Sequence, residues 1–111
     1  MGENFQIYRA AVNAAKGIRQ FQKADKDVGK ENIDRAVRHF DKGLNFLVDA
    51  LEHVEKAADD AYDTAAKHLA KGNAELKKCM DAFGSDDMSA ASKHYDKALE
   101  HYDAALDELD G

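Results

Sequence analysis

The sequence predicts an all-α protein, an antiparallel four-helix bundle built from two tandem helical hairpins. Three observations predict it. Proline is absent and the chain is rich in Ala, Leu, Lys, Asp and Glu, a composition that favours helix over strand. Residues 4–56 align without a gap on residues 59–111 at an offset of 55, and fourteen of those 53 pairs are identical, where a shuffled chain of this composition would give roughly 5. Each unit also carries two stretches with apolar residues spaced three and four apart, one stripe per helix. A single hairpin cannot bury both of its stripes, whereas two hairpins packed together can. The expected organisation is one domain, 1–111, with hairpin repeats 4–58 and 59–111.

The first helix is expected from Asn4, a good N-cap, to about Val28, with a seam of Ile7, Ala11, Ala14, Ile18, Phe21 and Val28. Gly29 offers the left-handed residue that closes a helix. The second helix begins at Asn32, whose side chain can cap free amides. Its seam reads Ile33, Val37, Phe40, Leu44, Leu47, Leu51, Val54. The second unit repeats these devices: Asp59 replaces Asn4, Gly84 replaces Gly29 and Asp87 replaces Asn32. The third helix then shows Tyr62, Ala66, Leu69, Leu76, Met80 and Phe83, and the fourth Met88, Ser92, Tyr95, Leu99, Tyr102, Leu106 and Leu109. Helices of roughly 25 residues give a bundle about 37 Å long.

One joint admits two readings. From Val54 to Tyr62 there is no Gly or Pro, and apolar residues at 54, 58, 62, 66 and 69 could carry a single helix from 32 to 83. That helix would hold the hairpins apart and require a dimer. The repeat favours a turn, because Asp59 stands where Asn4 starts the first helix.

The net charge of −6 belongs entirely to the second half. Residues 1–55 hold nine Lys or Arg and nine Asp or Glu, with all four arginines, while residues 56–111 hold seven basic and thirteen acidic residues. The first helix is basic and the fourth acidic, so their flanks attract if they are neighbours. An acidic chain without a basic face is a poor partner for nucleic acid or an anionic membrane. No apolar run is long enough for a membrane span, and no basic start followed by an apolar run marks a leader. Cys79 is the single cysteine, which fits a reducing compartment, and the expected location is cytoplasmic.

The candidate sites are few. No nucleophile–base pair, phosphate-binding glycine loop or paired acid is identifiable, so no enzyme and no cofactor are expected. Five histidines, His39, His53, His68, His94 and His101, raise a metal or haem site. Neither Glu-x-x-His nor His-Glu-x-x-His occurs, and Asp49 with His53 is the one acid–histidine pair at chelating spacing. His39, His53, His94 and His101 fall off the seam, towards solvent. Met80 and Met88 lie on seams as core residues, and Cys79 flanks one as an inert thiol. Asp25 interrupts a stripe near a helix end, within reach of water. Asn73 interrupts one in mid-helix, where a buried Asn fixes register.

The strongest hint of binding lies on the second helix. Phe46 projects about 130° from the seam centre at 100° per residue, and its counterpart in the repeat is polar, as is that of Val48 (His101 and Asp103). Phe46 and Val48 are therefore the candidate contact residues. Ala36-x3-Phe40-x2-Gly43 and Ala91-x3-Tyr95-x2-Ala98 resemble the second helix of a tetratricopeptide repeat, but a period of 55 rather than 34 does not fit that family. The functional expectation is a non-enzymatic bundle acting in protein–protein contact or self-association, with a protein partner or a second copy. The alternative is a metal- or haem-binding bundle using His and Asp/Glu from different helices.

Overall fold

The computed structural model describes the backbone of residues 2–110 and the side chains of residues 5–110. Four helices follow one another: α1 (Gly2–Gly29), α2 (Ile33–Ala57), α3 (Asp63–Gly84) and α4 (Met88–Asp110), with a 3₁₀ turn at Asp60–Tyr62 before α3. Among the described residues there is no strand. Helices α1 and α2 pack as one hairpin and α3 and α4 as the other, and together they form a rod of 45 × 18 × 18 Å. Asn4, the expected cap, lies inside α1, and its side chain falls outside the described residues. No helix among the described residues is long and apolar enough to cross a membrane.

The joint between the hairpins is a turn. Helix α2 stops at Ala57, Ala58 adopts a left-handed conformation (φ 52°), and Asp59 accepts a hydrogen bond from the Ala61 amide at 3.0 Å. A side-chain cap thus starts the turn that leads into α3, in place of the glycine that such turns usually carry.

The turns within the hairpins differ from expectation. No described glycine has positive φ; the left-handed residues are Glu31 (φ 63°) and Asp86 (φ 56°), again 55 apart. Gly29 and Gly84 are simply the last helical residues. The Asn32 amide donates to Asp27 at 2.8 Å and the Asp87 amide to Ala82 at 2.9 Å, the six-to-one bonds of a Schellman closure. This closure forms two residues beyond the glycines. Asn32 has φ −94° and ψ 74°, short of the extended region, and makes no side-chain cap; Asp87 does cap, accepting from the Ala90 amide at 3.0 Å.

The core faces are also turned from expectation. On α2 the buried residues are Ala36, Phe40, Gly43, Leu44, Leu47, Ala50, Val54 and Ala57, while Ile33, Val37 and Leu51 are only half-buried. The buried face is centred about 50° from the apolar stripe, at 100° per residue. The cause is close packing within the hairpin: a Cβ placed on Gly17 would collide with Leu47 and come to 2.8 Å from the Gly43 carbonyl oxygen. Small residues therefore face the hairpin partner, and larger apolar ones sit to the side. The buried set repeats through the offset, as in Ala10/Ala65, Gly17/Gly72, Phe21/Leu76, Ala24/Cys79, Leu47/Tyr102 and Val54/Leu109.

An aromatic cluster joins the hairpins. Phe40 lies 5.4 Å from Phe83, 5.6 Å from Tyr95 and 6.2 Å from Phe21, and Phe21 stacks on Tyr102 at 5.6 Å between ring centroids. Met88 belies its seam position, being 44% exposed. Helices α1 and α4 are neighbours, yet among the described residues no ion pair links basic α1 to acidic α4. Side chains free to reach water gain little from such pairing.

Candidate contact groove between the first two helices

Two stripes of exposed and half-buried side chains run along the outside of the first hairpin. On α1 they are Arg9, Val12, Asn13 and Lys16, and on α2 Lys42, Phe46, Asp49 and His53, each set spaced so that a helix keeps it on one face. A cavity of about 370 Å³ lies among Tyr8, Arg9, Val12, Asn13, Lys16 and His53. A second, open one of about 250 Å³ lies among Lys42, Asn45, Phe46 and Asp49. The His53 Nδ1 donates to Gln6 Oε1 at 2.7 Å and ties the end of α2 to the start of α1. At that end Tyr8 is 66% exposed and Phe5 55% exposed, with the Arg9 guanidinium 4.8 Å from the Phe5 ring centroid.

Phe46 is half-buried rather than free, and packs against the core. Its base lies over Gly17, where an added Cβ would come to 3.2 Å from the Phe46 Cβ. The rotation of α2 towards α1 brings it in: measured from the observed buried face, Phe46 stands about 80° away instead of about 130°. Val48 is half-buried as well. Two residues apart on a helix, Phe46 and Val48 point about 160° away from each other, so no single contact surface includes both. Tyr8, Val12 and Lys16 line the first cavity and Phe46 the second; sequence reasoning missed Tyr8 and Val12. The basic stripe on α1 was legible; the seat of Phe46 over Gly17 needed the packing angle.

The histidines are not the solvated surface groups the heptad suggested, for all five are half-buried. His39 donates from Nδ1 to Asp27 at 2.6 Å, and His94 from Nδ1 to Glu75 at 2.8 Å. A carboxylate can only accept, which fixes the ring proton on Nδ1 in both. The hydrogen bond from His94 holds the Glu75 carboxyl below its ordinary value. Of the metal candidates, His53 is engaged by Gln6 and Asp49 is exposed. Among the described residues no three His, Cys, Asp or Glu side chains converge where they could hold a metal ion. Cys79 is fully buried, and burial pushes its thiol up to about 12, so the nucleophilic thiolate is suppressed. Asp25 is exposed, as its place near the helix end suggested; Asp27, two residues on, is the buried acid.

Comparison with family models, with characterised proteins and with solved structures gives no match to this chain.

Proposed function

We propose that the protein is a non-enzymatic contact module that receives an acidic, amphipathic segment of a partner protein in the groove between α1 and α2. The observation that carries this reading is the composition of the groove. Arg9 and Lys16 line one cavity with Tyr8 and Val12, and Lys42 lines the other with Phe46, with Asp49 the one acid among the lining residues, in a chain whose net charge is −6. A cationic, partly apolar channel on an acidic protein selects for carboxylates along one side of an amphipathic helix. The apolar face of that helix covers Val12 and Phe46, and the charges steer its approach and set its register.

Selection from a displayed library of amphipathic helical peptides tests this reading. The wild-type protein is expected to enrich acidic sequences, and Arg9→Glu/Lys16→Glu to lose them. Enrichment that ignores the reversal, or no enrichment, would overturn the reading. Sedimentation across a wide concentration range tests a second copy as the occupant: a dimer abolished by Tyr8→Ala would replace the acidic partner with self-association.

A further inference from the structure

The five histidines divide into two groups. Three are held at Nδ1 by a side chain of the same hairpin: His39 by Asp27, His53 by Gln6 and His94 by Glu75. His68 on α3 and His101 on α4 instead face each other across the second hairpin. Their ring centroids are 5.8 Å apart and the planes are inclined by 32°. Nδ1 of His68 is buried without a hydrogen-bond partner. A buried polar atom left unpaired is uncommon and asks for a partner the protein does not itself supply. An imidazole nitrogen with a free lone pair is a good ligand for the later first-row divalent metals.

We propose that His68 and His101 form a two-imidazole chelate for a divalent first-row transition metal, binding Cu²⁺ more tightly than Zn²⁺. Metal–nitrogen bonds of about 2.0 Å at a tetrahedral angle place two imidazole centroids about 5 Å apart. Small rotations of the two side chains, closing the gap by less than about 1 Å, reach that geometry. With two protein ligands the remaining positions belong to water, consistent with the lack of a third converging His, Cys, Asp or Glu among the described residues. Glu108 also has an unpartnered buried oxygen, but it stands two helical turns beyond His101 on the same face, and the chelate does not include it. The preference for copper follows the general order of divalent affinities. The site belongs to the second hairpin alone, because the first carries Asn13 and Phe46 at the equivalent positions. A bound ion would cross-link α3 to α4 within the second hairpin, and the proposal is independent of the contact groove, which belongs to the first.

The variants His68→Asn and His101→Phe test it, since each installs the residue that the other hairpin already carries. Isothermal titration of the whole protein with Cu²⁺, and separately with Zn²⁺, is expected to show a single ion per chain. Each variant should weaken binding at least about tenfold, while His39→Gln, His53→Gln and His94→Gln bind as the wild type does. The Cu²⁺ paramagnetic resonance spectrum should show coupling to two nitrogens. Cu²⁺ should raise the melting temperature of the wild type but not of His68→Asn, and circular dichroism verifies that the variant is folded. Absence of stoichiometric binding, wild-type affinity in His68→Asn/His101→Phe, or an equal loss on replacing any of the other three histidines would overturn the proposal.

Discussion

The Tyr102 hydroxyl donates to Asn73 Oδ1 at 2.7 Å, and both residues are buried where α3 meets α4. The first hairpin has Ile18 and Leu47 at these positions, so a polar pair replaces an apolar one in the second repeat alone. Burial also raises the Tyr102 hydroxyl well above its ordinary value. Asn73 Nδ2 stays unpaired, so the pair is one hydrogen bond with one orphaned donor.

Breaking this pair from either side should cost more than removing it. Tyr102→Phe and Asn73→Leu each leave a buried polar atom without its partner, and each should destabilise by about 1–3 kcal/mol. The double variant Asn73→Leu/Tyr102→Phe should recover most of that loss. Denaturant unfolding of the four proteins, read as a double-mutant cycle, checks this; additive losses would show that the two residues act independently.

The turn glycines should prove dispensable. Gly29 is helical, and nothing lies within 4 Å of a Cβ built on it. Gly29→Ala should therefore raise stability by about 0.5–1 kcal/mol. Glu31, at φ 63°, occupies the position that favours glycine, and Glu31→Gly should stabilise by about 1 kcal/mol. Thermal melts check both, and a lower melting temperature for Gly29→Ala would place the left-handed residue back at Gly29.

The glycines inside the helices behave in the opposite way. A Cβ on Gly43 would collide with the Phe21 ring and come to 2.8 Å from the Gly17 carbonyl oxygen. Because that obstacle is backbone, the two helices must move apart. Gly17→Ala and Gly43→Ala should each cost about 1–3 kcal/mol, measured by denaturant unfolding.

These glycines explain where the sequence is legible and where it misleads. The fold class, the four helices and the turn at Asp59 follow from composition, periodicity and the offset of 55, because each depends on local chemistry that the repeat displays twice. The rotation of α2 does not follow. Large residues at Ile33, Val37 and Leu51 dominate any reading of hydropathy, but the tightest helix contact is made by the residues with least side chain. Phe46, His39 and His53 are placed by that rotation, and so reasoning from the apolar stripe set them too far towards solvent. Three of the histidines are held across the hairpin by Asp27, Gln6 and Glu75, and none of those partners is local in sequence.

Alkali should unfold the protein in a defined window. Burial pushes the Cys79 thiol from 9.0 and the Tyr95 hydroxyl from 10.0, each up to about 12, and raises Tyr102 as well. A raised value means that the fold favours the neutral form. The associated stability is present in full below the ordinary values and is lost as pH rises through them towards the folded ones. Circular dichroism should show helix retained at pH 9 and lost as pH approaches about 12, with Cys79 unreactive to thiol reagents until the helix is lost. Glu75, whose carboxyl is lowered by His94, acts in the opposite sense: its contribution is present above 4.5 and fades as pH falls below that value. His94→Gln should remove that acid-side dependence.

The groove between α1 and α2 is tested most directly by inverting its charge. Arg9 and Lys16 are exposed, so Arg9→Glu/Lys16→Glu should leave the helical spectrum and melting temperature close to those of the wild type. Fluorescence anisotropy then compares the acidic peptide selected by the wild type with a copy carrying Lys at each acidic position. The reversed protein is expected to lose the acidic peptide and gain the basic one. Equal affinity of both proteins for the acidic peptide would contradict it.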